Sequence, residues 1–349
     1  MRTVKDLIVK GKRVLVRCDF KVPLDPEGDI LDDFKIRSTV PTIQYLIDMD
    51  TKIILMSHLG EPSGRIVEKL KFDRIQENLL KHLDLSITKA KDCVGAEIEK
   101  WTKRMQAGEI LLLENLRFHE EEERGDLAFA RKLAKLGDIF LNDAFASSHR
   151  NHASFKVAKY LPCGAGLLLE KEVKALNQIK DNPAGLAGHL VVILAGQAKG
   201  IETKIKLINS ISNKADFILL GNLVADELQK RNFKPEFPNK VIFPLDSIEG
   251  LDIGPETIKL FKQKILGAKT IFWSGPLGKI EEEPFSRGSE EIIKDIVKSN
   301  AFSVAGGGET CWFIDKLGLA KKFSHLSTGG DALLLFLSGE KLPGIEMLD

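Results

Sequence analysis

Ser303-Val304-Ala305-Gly306-Gly307-Gly308-Glu309-Thr310 is the stretch on which the reading of this chain turns. A short apolar run ends in three glycines, and a helical pattern follows through Leu319. Glycines between a strand and a helix let the backbone approach a ligand with no Cβ in the way. The start of the helix offers unpaired N–H groups and the positive end of a dipole, which suit phosphate. Glu309 repels bare phosphate but fits if a cation such as Mg²⁺ lies between the two. Alone, the stretch also reads as a plain glycine-rich connection, so the rest of the chain decides.

Outward from it, short β-rich runs recur. They are Arg13–Phe20, Thr51–His58, Glu109–Asn115, Asp138–Phe145, Leu190–Gly196, Asp216–Gly221, Lys240–Asp246, Lys269–Pro276, Phe302–Gly308 and Phe323–Gly330. Most are continuously apolar, as strands covered on both faces of a parallel sheet are. Helical patterns lie between many of them: Leu127, Ala130, Leu133 and Ala134 share one face, and so do Ile292, Ile293, Ile296 and Val297. This alternation predicts an α/β fold with parallel sheets. Leu167–Ile179 reads as a helix, broken by Asp181-Asn182-Pro183-Ala184-Gly185. The expected organisation is two Rossmann-like domains facing a cleft and linked by a helix. Residues 1–166 form the first, with 338–349 packing back onto it; 167–184 are the interdomain helix and linker; 185–337 form the second.

The chain's 349 residues suit two domains, and its formal net charge of +1 gives no global reason to expect nucleic acid or a membrane surface. Cys18, Cys93, Cys163 and Cys311 show no CxxC and no His/Cys metal spacing, so they read as core thiols in a reducing compartment. No signal peptide or long apolar span is evident, which places the chain in the cytoplasm. Ligands in such folds bind beyond the carboxyl ends of the strands. There the unusual residues Asp19, His58, Arg117, Arg150, Lys199, Gly221, Glu281 and the triple glycine collect. Arg117 and Arg150, with Lys21, Lys35 and Arg37, suit a small phosphorylated anion. Singly, each Arg also reads as a solvated surface residue, and His58 as a structural histidine. The acidic run Glu120–Glu123 reads as a solvated face.

RVLVRCDFKVPL, DDFKIRSTVPTIQYL, SHLGEPSG, LLLENLRFHEEEE, NDAFASSHRNHAS, LDIGPET, FWSGPLGKIE, AGGGET, HLSTGGDA and GEKLPGIEMLD stand in the order found in phosphoglycerate kinases. The chain resembles that family from about Arg13 to its end. No GxGxxG follows the first strand, which disfavours the other α/β reading, a nicotinamide-dependent dehydrogenase. The resemblance implies reversible phosphoryl transfer between 1,3-bisphosphoglycerate and MgADP, giving 3-phosphoglycerate and MgATP, by a monomer. It implies Asp19, Phe20, Lys21, His58, Leu59, Gly60, Glu61, Arg117 and Arg150 for the triose. For the nucleotide it implies Lys199, Lys204, Gly221, Glu281, Gly307, Gly308, Glu309 and Thr310, with Glu309 toward Mg²⁺. Lys35, Arg150 and Lys204 take the catalytic positions.

The chain departs from the family pattern at several of these. Lys21 replaces an Asn, Lys35 an Arg, Glu61 an Arg, Ser274 an Asn, Glu309 an Asp and Asp331 a Gly. Lys199 and Lys204 are one residue further apart than the pattern requires. The segments after Gly221 and Asp246 are short. Glu61 reverses a charge beside a bound phosphate, and Lys21 is expected to compensate. These departures leave open a second reading, a family member that binds nucleotide or a phosphorylated metabolite in a regulatory or assembly role.

Overall fold

The computed structural model describes residues 1–181, 189–198 and 200–348. Lys199 and the linker residues 182–184 therefore lie outside the described residues. The chain divides into two compact units, Met1–Lys171 together with the residues from Lys341 on, and Glu172–Glu340. No helix among the described residues is long and apolar enough to cross a membrane.

The first unit is built on six strands: β1 (Arg13–Arg17), β2 (Lys52–Met56), β3 (Ile87–Lys89), β4 (Ile110–Leu112), β5 (Ile139–Asn142) and β6 (Cys163–Ala165). They lie in the order β3-β4-β2-β1-β5-β6, and every pairing is parallel. Val14, Val16, Ile53, Leu55 and Leu112 are fully buried in its core. The connections leave β1 toward β2 on one side and β5 toward β6 on the other. The chain therefore reverses direction between β1 and β5, the kind of position at which ligands bind beyond the carboxyl ends of the strands in such sheets. The C-terminal segment closes the far side, where Gly344 N–H donates to the Ser148 carbonyl at 2.8 Å and Asn142 Nδ2 donates to the Gly344 carbonyl at 2.8 Å.

The second unit repeats the plan with β7 (Leu190–Leu194), β8 (Phe217–Leu220), β9 (Val241–Ile242), β12 (Thr270–Ser274), β13 (Phe302–Gly306) and β14 (His325–Ser327). Their order is β14-β13-β12-β7-β8-β9, again all parallel. A separate antiparallel pair, β10 (Ser247–Ile248) and β11 (Asp252–Ile253), precedes the helix Pro255–Ile265. Reversal falls between β7 and β12.

All ten runs expected from the sequence contain a strand, so the α/β reading with parallel sheets holds. β3, β6, β10 and β11 were not expected. They are two or three residues long, and Ile87-Thr88-Lys89 and Cys163-Gly164-Ala165 carry no continuous branched run. The expected runs also overshoot the strands at their carboxyl ends, because the chain beyond the ladder stays buried. Cys18, Asp19 and Phe20 after β1 are all 3 % exposed or less.

Candidate active site

Beyond β1 in the first unit, Asp19 is buried and accepts from Lys35 Nζ at 3.3 Å and from Ser147 Oγ at 3.4 Å. Burial pushes its carboxyl up, but Lys35, the Lys21 backbone N–H and Arg17 outweigh that and leave it below its ordinary value. Ser147 follows β5, so the Asp19–Ser147 contact spans the point of reversal. Phe20 N–H donates to Ser57 Oγ at 2.8 Å, and Leu59 is clasped by Asn115, whose Nδ2 donates to its carbonyl at 2.8 Å. Glu61 is exposed, and its two carboxylate oxygens are divided between two cations. One accepts from Lys21 Nζ at 2.6 Å, and the other from Arg117 Nη1 at 2.5 Å. Arg117, 3 % exposed, also donates to the Gly60 carbonyl at 2.7 Å. Burial raises the Glu61 carboxyl, and its bonds to Lys21 and Arg117 more than reverse this. Arg150 is exposed, and its charge acts on His152.

Behind these groups lies a buried polar network that the sequence reading missed. Arg17 is completely buried in β1; its Nε donates to Ser154 Oγ at 2.9 Å and its Nη2 to His58 Nδ1 at 2.9 Å. An arginine only donates, so His58 is the neutral tautomer with its proton on Nε2. Burial, Arg17 and Arg117 hold His58 well below the usual imidazole range. Glu122 is fully buried and accepts from Ser154 N–H at 2.9 Å and Ser154 Oγ at 2.6 Å. Its neighbour Glu123 meets Arg117 Nε at 3.3 Å. The expectation of a solvated Glu120–Glu123 face is therefore corrected. One turn of helix at Glu120–Arg124 directs Glu122 inward, where Arg17 supplies the opposing charge.

His152 beside this network is pushed down to about 3 by burial and by the charges of Arg17, Arg117 and Arg150. The unfolded chain takes up a proton near pH 6.5 that the native state refuses. His152 thus contributes stability in full above about pH 6.5 and loses it as pH falls toward 3, at about 1.4 kcal/mol per pH unit. His58 acts with the same sign. Urea unfolding at pH 7 and pH 5 is expected to show a loss of roughly 2 kcal/mol from His152 alone. His152→Gln should remove that share of the difference; an unchanged difference would refute the assignment.

In the second unit the reversal point is marked by two glycines. Gly275 follows β12 with φ +89°, and a Cβ there would stand 2.1 Å from the Ala195 carbonyl oxygen. Only glycine lets the two loops cross so closely. Beside them is a cavity of about 230 Å³, lined among others by Gly196, Leu223, Leu251, Pro276, Glu281 and Glu309. Gly221 does not line it but packs against Ala195 at the start of the helix Asn222–Lys230, next to the lining residue Asn222. The Ser303–Thr310 stretch runs from β13 through Gly307, with φ +98°, into the helix Gly308–Lys316. Gly307 N–H donates to the Gly329 carbonyl at 3.1 Å, and Thr310 Oγ1 accepts from Gly275 N–H at 3.1 Å. The two loops are thereby fixed to each other.

Lys204 is 7 % exposed, and its ammonium donates to the Gln197 carbonyl at 2.7 Å. Burial lowers its pKa, opposed by the charges of Asp331 and Glu309. Partial burial and the charge of Glu281 push the Glu309 carboxyl up, and Lys204 opposes them. Gln197 Nε2 donates to Glu309 at 3.4 Å. A carboxylate on the cavity wall, facing a like charge and beside an amide side chain, suits a hard divalent cation whose other ligands are water and phosphate.

The structure thus joins Asp19 to Lys35 and Glu61 to Lys21 and Arg117 in one unit. In the other, Glu309 lines the cavity, Gly307 precedes the helix that carries Glu309, and Lys204 is bonded to the carbonyl of the lining residue Gln197. Arg17, Asn115, Glu122, His152 and Ser154 escaped sequence reasoning because a polar residue inside an apolar run gives no sign of its partner.

The family model described as Phosphoglycerate kinase matches residues 4–234 and 223–340. The two stretches overlap just after Gly221, where the chain reads as shortened. The phosphoglycerate kinase of Pelotomaculum thermopropionicum is 40% identical over 388 residues, covering 99% of this chain and 98% of that protein. That of Moorella thermoacetica is 38% identical over 392, with 99% and 98% covered. The crystal structure of phosphoglycerate kinase from Pyrococcus horikoshii superposes with a TM-score of 0.89 at 28% identity, covering 100% of this chain and 98% of that one. The Coxiella burnetii structure gives 0.79 at 30% identity, covering 99% and 98%. These likenesses support the enzyme reading and give none to a binding-only role: the chain belongs to the phosphoglycerate kinase family and is a kinase that transfers a phosphoryl group.

Proposed function

We propose that the groups beyond the carboxyl ends of β1 and β5 bind 3-phosphoglycerate or 1,3-bisphosphoglycerate, and that the cavity lined by Gly196, Pro276 and Glu309 binds an adenine nucleotide with Mg²⁺. The observation that carries this reading is the cavity. Apolar Leu223, Leu251 and Pro276 suit a base, Glu281 suits ribose hydroxyls, and the Gly307–Gly308 turn opens a helix whose N–H groups suit phosphate. Glu309 would hold Mg²⁺, which when bound neutralises phosphate charge. Lys199 belongs to the proposal by sequence alone.

Phosphoryl transfer needs positioning and charge neutralisation rather than a protein nucleophile. In this reading Lys204, with donors to spare beside its bond to the Gln197 carbonyl, donates to phosphoryl oxygens, and Lys35 and Arg150 supply positive charge on the triose side. Lys35 keeps its charge but not the paired donors of an arginine. Asp19 holds Lys35 and, ionised, suits a substrate hydroxyl. His58 offers an Nε2 proton to an anion without adding net charge.

Glu61 is a resident counter-anion. It neutralises Lys21 and Arg117 in the ligand-free protein, and an incoming phosphate competes with it for both. Because Lys21 and Glu61 are both exposed, their pair contributes only about 0.2–1 kcal/mol. The test is a coupled assay with 3-phosphoglycerate and MgATP. Turnover by the unaltered chain is expected, and Lys21→Asn should raise KM for 3-phosphoglycerate several-fold. The Lys35→Arg/Glu61→Arg variant should gain ten- to hundredfold in kcat/KM, about the worth of one charged hydrogen bond. No turnover by the unaltered chain at high enzyme, with turnover in the double variant, would overturn the reading of an active site.

A further inference from the structure

We propose that Asp92, Cys93 and His119 form a site for one soft or borderline divalent ion of the zinc type, distinct from the Mg²⁺ position at Glu309. One carboxylate oxygen, Cys93 Sγ and an imidazole nitrogen of His119 all lie within 4.8 Å of one another. Fold topology brings them together across a gap in sequence. Asp92 and Cys93 follow β3, His119 follows β4, and the two strands are parallel neighbours. The loops are fastened at both ends: Ala90 N–H donates to the Leu112 carbonyl at 2.8 Å, and Glu114 N–H to the Asp92 carbonyl at 3.4 Å.

The donor set selects the ion. Thiolate and imidazole favour zinc-type ions, whereas Mg²⁺ prefers oxygen alone. Three protein ligands leave a fourth position for water, and exposed Asp92 opens the site toward solvent while Cys93 closes it from inside. The surroundings suit a cation. Glu121 bears on His119 and Glu122 on Cys93, with Lys132 the opposing charge. Without an ion, Asp92 Oδ1 pairs with His119 Nε2 at 2.7 Å and accepts from Cys93 N–H at 2.6 Å. An ion replaces the proton between carboxylate and imidazole. The Cys93 thiol gives up its proton, as does His119 when it is protonated; both protons go to solvent, and nothing is oxidised. His119 immediately precedes the helix Glu120–Arg124, which carries Glu122 and Glu123 into the triose side. Occupancy would therefore brace that helix from its start.

Cobalt(II) is the probe, added anaerobically to the chelator-treated full chain. The expected result is one equivalent bound, with a near-ultraviolet thiolate-to-cobalt absorption that Zn²⁺ abolishes by competition, and a melting temperature raised by either ion. Cys93→Ser should remove the absorption. Asp92→Asn alters only the exposed ligand and retains an oxygen to accept from Cys93 N–H, and it should weaken cobalt binding at least tenfold. No thiolate absorption at millimolar cobalt, its persistence in Cys93→Ser, or unchanged affinity in Asp92→Asn would overturn the site.

Discussion

Glu172→Ala is expected to destabilise the second unit by about 3–5 kcal/mol, the range found when one partner is removed from a buried charged network. Glu172 has no solvent exposure and carries three bonds. One oxygen accepts from His325 Nε2 at 2.7 Å, and the other from Thr328 N–H at 2.7 Å and Thr328 Oγ1 at 2.8 Å. Alanine leaves all three donors buried without an acceptor, each costing about 1–3 kcal/mol and not additively. The loss does not stop there. Thr328 precedes Gly329, whose carbonyl takes the Gly307 N–H at 3.1 Å, so Glu172 indirectly fixes the turn proposed to hold phosphate. Urea unfolding followed by tryptophan fluorescence should therefore show the destabilisation, and KM for MgATP should rise as the turn loosens. Glu172→Gln keeps the shape and one acceptor, and should cost roughly 1–2 kcal/mol. A loss under 1 kcal/mol in the alanine variant would show that the loop is held by something else.

The bond from Thr328 to Glu172 shows where sequence reading stops. The ten apolar runs were legible because a parallel strand covered on both faces needs an unbroken apolar stretch. The glycine turn at 306–308 was legible as a run of glycines between strand and helix: a Cβ at Gly306 would stand 2.1 Å from Leu333 Cδ2, and Gly307 has φ +98°, a backbone that favours glycine. Edge strands such as Ile87–Lys89 were not, since three residues carry no period. Pairings across the fold were not either. Glu61 read as a charge reversal at an anion site, with Lys21 expected to compensate; the part that was not legible is Arg117, which takes the second carboxylate oxygen so that Glu61 is shared between two cations. Glu122 read as one of four solvated acids, and only the packing of helix Glu120–Arg124 distinguishes it from its neighbours. Cys93 read as a core thiol because its prospective partner lies 26 positions away on another strand's loop. Lys199 and Lys204, one residue too far apart for the family pattern, are a case of partial legibility. Lys204 still lies in the helix Ile201–Ile211 with its ammonium turned back to the Gln197 carbonyl.

Lys204→Met is expected to lower kcat about a hundredfold while leaving the fold as stable as before or more so. The two halves of that statement come from the same geometry. A lysine ammonium that is nearly buried has given up most of its water, and among the described residues it regains one hydrogen bond, to the Gln197 carbonyl. Asp331 and Glu309 act on it only at a distance, and burial still lowers its pKa. Such a group costs stability to keep, and an apolar side chain of similar length relieves that cost. Its benefit falls on the reaction. With one proton engaged, the ammonium retains two donors and a charge that acts on Glu309, in the first turn of the helix Gly308–Lys316. A preorganised donor aimed at developing charge contributes about 10²–10³ in rate. A purely structural lysine would behave the other way, with stability falling and kcat following only through the unfolded fraction. Lys204→Arg keeps the charge but does not fit the same space, so it should recover part of kcat at some cost in stability. Steady-state rates with 3-phosphoglycerate and MgATP, measured beside urea unfolding of each variant, separate the two cases. A kcat within threefold of the parent in Lys204→Met would remove Lys204 from the proposed machinery and shift the burden of charge neutralisation to Mg²⁺ at Glu309 and the helix start.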